Sequence, residues 1–579
     1  MRQLVVMTVA GMVFAGTVVL MSSQAVAPRP AAPRPVAAGA SAAVAAGNAR
    51  LTGGAQGVVK NASGFPVEGL MVQLISQKTS IRTTVYTNPA GHFEFPVLET
   101  GDYVLRVPRP LEFRPYRKDS VRIDGATHLP DIVVERVNNS EYLPPTPDIL
   151  PQLTGAEWLA NIPGTEQEKD AVVTTCGGSC HSFQNQARAR FAEADWRKIV
   201  NRMSNYGNRT LVPPPAPGRG YKFTHDQELV ISWLSRVRGP DATDPPLKPF
   251  PRPIGAATRA VVTEYELPWE TVNIHDVAGD TEGNIWFNIN RSPFLGKLDP
   301  KTGKVTSYRV PAPPPMKIKT PRFPITEQPG VHPGLHWIQV DKKTGTVWFT
   351  DTWSQSLGRL DPRTGDIQLV NTGLFGNVAL SPDGQSIWRH DGPTIKKYDT
   401  ATVMKTGLPV KEYPLQKGTP GTYGNFISRD GRYFGGGATR GVLWLDIQTG
   451  EIRDVRVPSG KFVDGRGDFD PAGNVWVGAK TGMLVKYDPK ANVISEYVSP
   501  TPYVAFYTAR SDDNGEIWAG EMHGGRIARF NPQTQRWIEY VLPTPWSQDY
   551  HSWIDKSTTP VTYWYGDQFG YIVRVQPLE

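Results

Sequence analysis

The sequence predicts a mainly β, multidomain protein: an immunoglobulin-like β-sandwich, a small α-helical domain and a seven-bladed β-propeller. Three observations carry that reading. From Val261 to the C-terminus, a strand-rich unit built around a tryptophan recurs about every 40 to 50 residues. Residues 51–136 alternate apolar and polar side chains between regularly spaced turns. Between them, residues 150–240 switch to helical periodicity and hold both cysteines of the chain, in Cys176-Gly-Gly-Ser-Cys180-His181.

Composition agrees and sets limits. The 579 residues exceed what one core organises, and roughly three or four domains are expected. The 53 Pro, 56 Gly, 16 Trp and 21 Tyr favour short strands with many turns over helical bundles. The net charge of +7 and the pI near 9.1 come from Lys and Arg dispersed among Asp and Glu. No basic block marks a nucleic-acid surface, so no nucleic-acid partner is expected.

At the N-terminus, Arg2 precedes a nearly continuous apolar run from Leu4 to Met21, and small residues follow. This is the pattern of an export signal. Cleavage after Ala25 is preferred, because cleavage after Ala27 would leave Pro28 at the first mature position. Residues 1–25 are read as a signal peptide, with an uncleaved anchor as the alternative, since the run is long enough to cross a bilayer. Residues 26–50 are an Ala/Pro linker. The mature chain is expected in the periplasm or secreted, without a membrane span, where disulfides persist.

In residues 51–136, the runs Gly57-Val58-Val59-Lys60, Leu70 to Leu74, His92 to Phe95 and Tyr103 to Val107 are separated by turn residues such as Asn61-Ala62-Ser63-Gly64 and Asn88-Pro89-Ala90-Gly91. Period-two alternation with such turns gives an antiparallel sandwich. The order Gly57-x-Val59, Pro66-Val67-x-Gly69, Gly91-x-Phe93-x-Phe95 and Leu98-x-x-Gly101-x-Tyr103 resembles the carboxypeptidase regulatory-like domain. The resemblance implies an accessory module related to carbohydrate-binding folds, without catalytic residues. His92 is read as a strand-surface residue.

A Pro-rich link, Tyr142 to Pro147, leads to the helical domain, residues 150–240. Trp196, Val200 and Met203 share one helical face. A second helix is expected after Thr224, with Gln227 completing a capping box, and runs through Leu229, Trp233 and Val237. Two thiols and an imidazole this close leave three readings open: covalent haem, a metal site, or a small disulfide around the Gly-Gly turn. A structural zinc site needs a fourth ligand that nothing nearby supplies. The usual haem c motif has two residues between the cysteines, whereas three stand here. The motif, with Trp196-x-x-Ile199-Val200-x-x-Met203 and Glu228-x-x-Ile231-x-Trp233-Leu234, resembles a small cytochrome c domain of class I. The resemblance implies haem c bound through Cys176 and Cys180, with His181 as proximal and Met203 as distal axial ligand. An imidazole and a thioether suit a haem iron of electron-transfer potential. A further Pro-rich linker follows, to about Ala260.

Residues 261–579 hold seven repeats. Their central apolar strands contain Trp286, Trp348, Trp388, Tyr433, Trp476, Trp518 and Trp564. Four short strands per unit cannot bury both faces alone, and radial stacking solves this. The last unit lacks an outer strand, and Val261 to Tyr265 repeats the outer-strand pattern of Trp537 to Tyr540. The units resemble the streptogramin B (virginiamycin B) lyase family. That resemblance implies His-led innermost strands at the mouth of the central channel, carboxylates that hold Mg²⁺ or another divalent cation, and ring opening by elimination. Asp549, His551 and Asp567 match one half of that site, with His551 as catalytic imidazole, His275 or His336 as the second one, and Asp549 and Asp567 as metal-holding carboxylates, to which Glu521 adds a further carboxylate near the same mouth. Tyr507 stands where the family has a histidine, Ile289 replaces an acid, and His523 adds an imidazole near the same mouth. Asp351 is a further acid after a central tryptophan, and His332 and His390 are read as loop residues.

Two functions follow from this organisation. One is an exported lyase that takes a small-molecule or glycan substrate. The other is a periplasmic electron-transfer protein, in which the propeller binds a substrate or partner dehydrogenase and the haem passes electrons to a redox partner. A binding protein with neither site active is the plainest alternative.

Overall fold

The computed structural model describes residues 51–176, 182–206, 224–269, 273–290, 292–311, 334–352, 354–373 and 376–579. The expected signal peptide and linker, Cys180, His181 and His332 lie outside the described residues. No helix among the described residues is long and apolar enough to cross a membrane.

Seven four-stranded antiparallel sheets make up the C-terminal part. In the first six, the first strand in sequence lies innermost and the later ones step outward. The first sheet runs from Ile274–Gly279 through Ile285–Ile289 and Phe294–Asp299 to Lys304–Arg309. The next five begin at Leu335–Val340, Ala379–Leu380, Thr422–Ile427, Gly467–Phe469 and Ala505–Ser511. The seventh has only Trp553–Asp555, Thr562–Asp567 and Tyr571–Pro577 from the C-terminus, and Ala260–Glu266 pairs along Tyr571–Pro577 as its outermost strand. The innermost strands of the last and first sheets pack side by side, which closes the ring.

Local chemistry explains why the repeat folds this way. Asp280, Asp470 and Asp512 open the first hairpin of their blades and accept backbone N–H groups of the turn. Each also accepts the indole N–H of the next strand's tryptophan: Trp286 at 3.0 Å, Trp476 at 2.9 Å and Trp518 at 3.1 Å. The Gly of the repeated Gly-x-Leu has a packing reason. A Cβ on Gly296 would lie 2.1 Å from the Phe287 ring, and one on Gly358 2.2 Å from Phe349.

The N-terminal sandwich packs a sheet of His92–Glu94, Gln56–Asn61 and Ile132–Val134 on one of Arg82–Tyr86, Met71–Ser76, Gly101–Arg106 and Arg117–Ile123. The second sheet continues into the propeller: Arg82–Tyr86 pairs with Ala260–Glu266, in register Arg82 to Glu264. One eight-stranded sheet therefore spans sandwich and seventh blade, and the outer edge of that blade is paired rather than open.

The helical block holds Gly155–Asn161, Glu166–Cys176, Gln184–Arg188, Glu193–Tyr206 and Thr224–Val237. Thr154 and Glu157 form a capping box on the first helix. Trp158, Val172, Trp196, Val200, Ile231 and Trp233 share one core, against which Cys176 packs half-buried. Met203 ends the Trp196–Val200 face and is 47% exposed.

The described residues belong to one compact unit, and the helical block docks on the face of the propeller where the innermost strands begin. Ala156 N–H donates to the His523 carbonyl at 2.8 Å, and Phe183 stacks on the His523 ring with centroids 3.9 Å apart. Tyr503, in the loop before the sixth innermost strand, donates to Glu166 at 3.0 Å.

Candidate functional site

Antiparallel pairing puts the start of each innermost strand and the end of the next strand on one face of the ring. His275 and His336 lie in the innermost strands of blades one and two, and His551 lies just before that of blade seven. The structure brings the three to the mouth. The His275 and His336 rings are 4.0 Å apart by centroid, and Asp276 pairs with His551 in a backbone bridge.

Both ring nitrogens of each imidazole are engaged. His275 Nδ1 lies 2.6 Å from Asp276 Oδ1, and its Nε2 lies 3.2 Å from Tyr507 Oη. His336 Nε2 meets Tyr423 Oη at 2.9 Å, and Arg466 Nη2 reaches its Nδ1 at 3.3 Å. The other arm of Arg466, Nη1, donates to Asp276 Oδ2 at 2.6 Å, and Tyr423 and Tyr507 join through their hydroxyls. The result is a closed ring: Asp276, His275, Tyr507, Tyr423, His336, Arg466 and back to Asp276. It ties together blades one, two, four, five and six. Lys480, paired with Asp464 at 3.2 Å, covers it with its ammonium 4.5 Å from the Tyr423 ring centroid. His551 stands apart from this ring. Arg510 donates to its Nε2 at 2.6 Å, and Thr508 Oγ1 lies 3.3 Å from its Nδ1.

Burial fixes the charge states. It lowers the His275 imidazole, against the pull of Asp276, and it holds His551 well below the usual range with help from Arg510. It pushes the Tyr507 phenol well above its ordinary value, with Tyr423 adding to the rise and Arg466 opposing it. Burial also works against the Arg466 charge, but Asp276 and the two phenols outweigh it and the guanidinium stays ionised.

The carboxylates expected to hold a metal do not join this cluster. Asp549 and Asp567 sit between blades six and seven, where burial raises both to about 7. Tyr563 donates to Asp549, and Ser547 donates to Asp567. Glu521 accepts from Ser499 at 2.8 Å, and burial next to Glu539 lifts it well above the carboxylate range. Asp351 accepts from Gly334 N–H at 2.8 Å. His523 lies under Phe183 of the helical block. His390, read from sequence as a loop residue, is instead a buried strand residue of Ser386–Asp391 whose Nδ1 accepts from Thr422 N–H at 3.0 Å.

A divalent cation does not fit this arrangement. A guanidinium only donates, so the lone pairs at His336 Nδ1 and His551 Nε2 are spent on cations of the chain itself. Among the described residues no group of three or more His, Cys, Asp or Glu is placed to hold a metal ion. Sequence reasoning missed Tyr423, Arg466 and Arg510. All three lie in the innermost strands of their blades or next to them, and that position was the only signal.

In the helical block, a narrow cavity is lined by Leu159, Ile162, Val172, Phe183, Trp233 and Arg238. Arg238 is fully buried and binds Asp244 through Nη1 at 2.6 Å, while its Nε and Nη2 have no partner. Arg190 shares the same carboxylate at 2.7 Å, so two guanidiniums face one acid. Cys176 is not among the residues that line this cavity, and the cavity's one charged wall residue, Arg238, already holds Asp244, so the cavity does not fit a haem.

Fold and mouth together define a β-propeller protein that carries a β-sandwich and a helical block. Residues 54–135 match the carboxypeptidase regulatory-like domain family. Among solved structures, a streptogramin B lyase aligns at 17% identity and a TM-score of 0.45, over 56% of this chain and 99% of that one. A virginiamycin B lyase from Staphylococcus aureus aligns at 16% and 0.44, over 55% and 99%. The extracellular domain of a one-component system from B. thetaiotaomicron aligns at 15% and 0.38, over 54% and 39%. A comparison with curated proteins found no match.

Proposed function

We propose that the chain is an exported enzyme of lyase type, which uses the propeller mouth to move a proton on a small-molecule or glycan substrate. The observation that carries this reading is the imidazole pair of buried His275 and half-buried His336, hydrogen-bonded between an acid, two phenols and a guanidinium. Neutral imidazoles beside phenols are proton-transfer groups, not mere packing. Elimination fits, because it needs a base and an acid and no further reactant. The test is incubation with a cyclic depsipeptide such as quinupristin, followed by mass spectrometry. An opened ring of unchanged mass supports elimination, a product that has gained one water shows hydrolysis, and no product with any cyclic ester or glycan ends the reading.

A second activity is supported by where the helical block docks. Phe183, two residues beyond His181 in sequence, stacks on His523, and the helix ending at Cys176 contacts Tyr503, both at the mouth face. Haem c on Cys176, Cys180 and His181, with Met203 as the distal candidate, would supply one-electron transfer there. A pyridine haemochrome spectrum of protein exported in a host with haem-attachment machinery tests this, and a missing Soret band refutes it.

A further inference from the structure

We propose that Tyr423 is the substrate-facing proton-transfer residue of the mouth, and that Tyr507 relays its proton to a sink formed by His275 and Asp276. This rests on the lyase-type reading above. The ring Asp276–His275–Tyr507–Tyr423–His336–Arg466 allows one set of donors. Arg466 only donates and does so at both its ends, to His336 Nδ1 and to Asp276 Oδ2. His336 must then carry its proton on Nε2 and donate to Tyr423. His275 must carry its own on Nδ1, 2.6 Å from Asp276, and accept from Tyr507 on Nε2. Tyr423 therefore donates to Tyr507, and every proton in the ring points toward Asp276.

Exposure decides where substrate enters. Tyr507 is 1% exposed, His275 4% and Asp276 0%, whereas Tyr423 and His336 are only half-buried. Tyr423 Oη accepts from His336 Nε2 and keeps a further lone pair with which to accept a substrate proton. The step then balances within the chain. A C–H proton of the substrate passes to Tyr423 Oη, the Tyr423 proton to Tyr507, and the Tyr507 proton to His275 Nε2, which leaves an imidazolium against Asp276. The electron pair left on carbon forms the double bond and expels the neighbouring oxygen. Reversal of the relay returns the proton to that oxygen. Arg466 is a positioning residue, since it sets the tautomer at both ends of the ring.

The test uses the full chain labelled with ¹⁵N-histidine, with His275 assigned by the resonance lost in His275→Gln. The expected spectrum is one neutral His275 tautomer with the proton on Nδ1. Tyr423→Phe should move the His275 Nε2 resonance although Tyr423 does not touch it, because Tyr507 loses the donor that polarises it. A His275 proton on Nε2, or no shift in Tyr423→Phe, overturns the relay. If Tyr423→Phe does not fold, the wild-type tautomer of His275 still decides. In the depsipeptide assay, Tyr423→Phe should lower kcat about 100-fold with little change in KM, and an unchanged kcat refutes the role. Failure of the wild type to open any depsipeptide refutes the lyase reading alone, since the tautomer and its response to Tyr423→Phe are read without substrate.

Discussion

Arg466→Met probes the mouth at its weakest point. Arg466 is 1% exposed, its partner Asp276 is 0% exposed, and they meet at 2.6 Å. The substitution keeps most of the side-chain volume but removes the only cation on Asp276, and His275 Nδ1 remains as its sole side-chain donor. Removing one partner of a buried pair costs roughly 3–5 kcal/mol, because the other charge stays buried without an answer. The guanidinium also lies 5.7 Å and 5.4 Å from the Tyr423 and Tyr507 ring centroids, which adds to the loss. At roughly 2 °C per kcal/mol for a unit of this size, the propeller transition should fall by about 6–10 °C in differential scanning calorimetry. Asp276→Asn in the same chain removes the stranded charge and should recover at least half of the fall. A single variant that melts with the wild type, or a double variant no better than the single, would refute the buried-pair argument.

Three further outcomes follow from the structure. Asp549 has a folded pKa of about 7, above the unfolded value near 4, so the fold holds a proton that the unfolded chain has lost. That contribution is complete below about pH 4 and disappears as pH rises to 7. Asp549→Asn should therefore gain on the wild type between those limits, by on the order of 4 kcal/mol, and then level off; calorimetry across pH reads this, and a pH-independent difference contradicts it. Phe183→Ala removes a ring that is 3% exposed and stacked on His523. It should cost the block about 3–5 kcal/mol and speed amide exchange in Gly155–Asn161 while leaving the second to fourth blades unchanged. For the haem proposed on the helical block, Cys176→Ser should abolish haem staining on a denaturing gel, whereas Met203→Leu should retain it and change the absorption spectrum.

How much could be read beforehand differs by level. The repeat was legible because several blades reuse the same residues: in the first, fifth and sixth a turn Asp accepts from the next strand's tryptophan, and in the first and second a Gly lies beneath a Phe ring. The closing strand was legible because Val261 to Tyr265 repeats the pattern of Trp537 to Tyr540. The pairing of Arg82–Tyr86 with Ala260–Glu266 was not, since edge-to-edge strand contacts leave no period in either strand. At the mouth, the histidines announced themselves by residue type. Their partners did not, because Tyr423, Arg466 and Arg510 come from separate blades, and a tyrosine in a strand looks like packing. His523 lies on the mouth face, and what residue type did not show is that Phe183 of the helical block stacks on its ring. The expected carboxylates Asp549, Asp567 and Glu521 each accept from a neighbouring hydroxyl, of Tyr563, Ser547 and Ser499, which residue type alone does not show.

The account turns on the claim that the mouth imidazoles are bound to guanidiniums and phenols of the chain itself, which leaves their lone pairs no place for a divalent cation. Electron paramagnetic resonance of Mn²⁺ titrated into the full chain tests this most directly. The prediction is a free-ion signal that grows in proportion to added Mn²⁺ in wild type and His551→Ala alike. Tight capture of one equivalent by the wild type, released in His551→Ala, would contradict it.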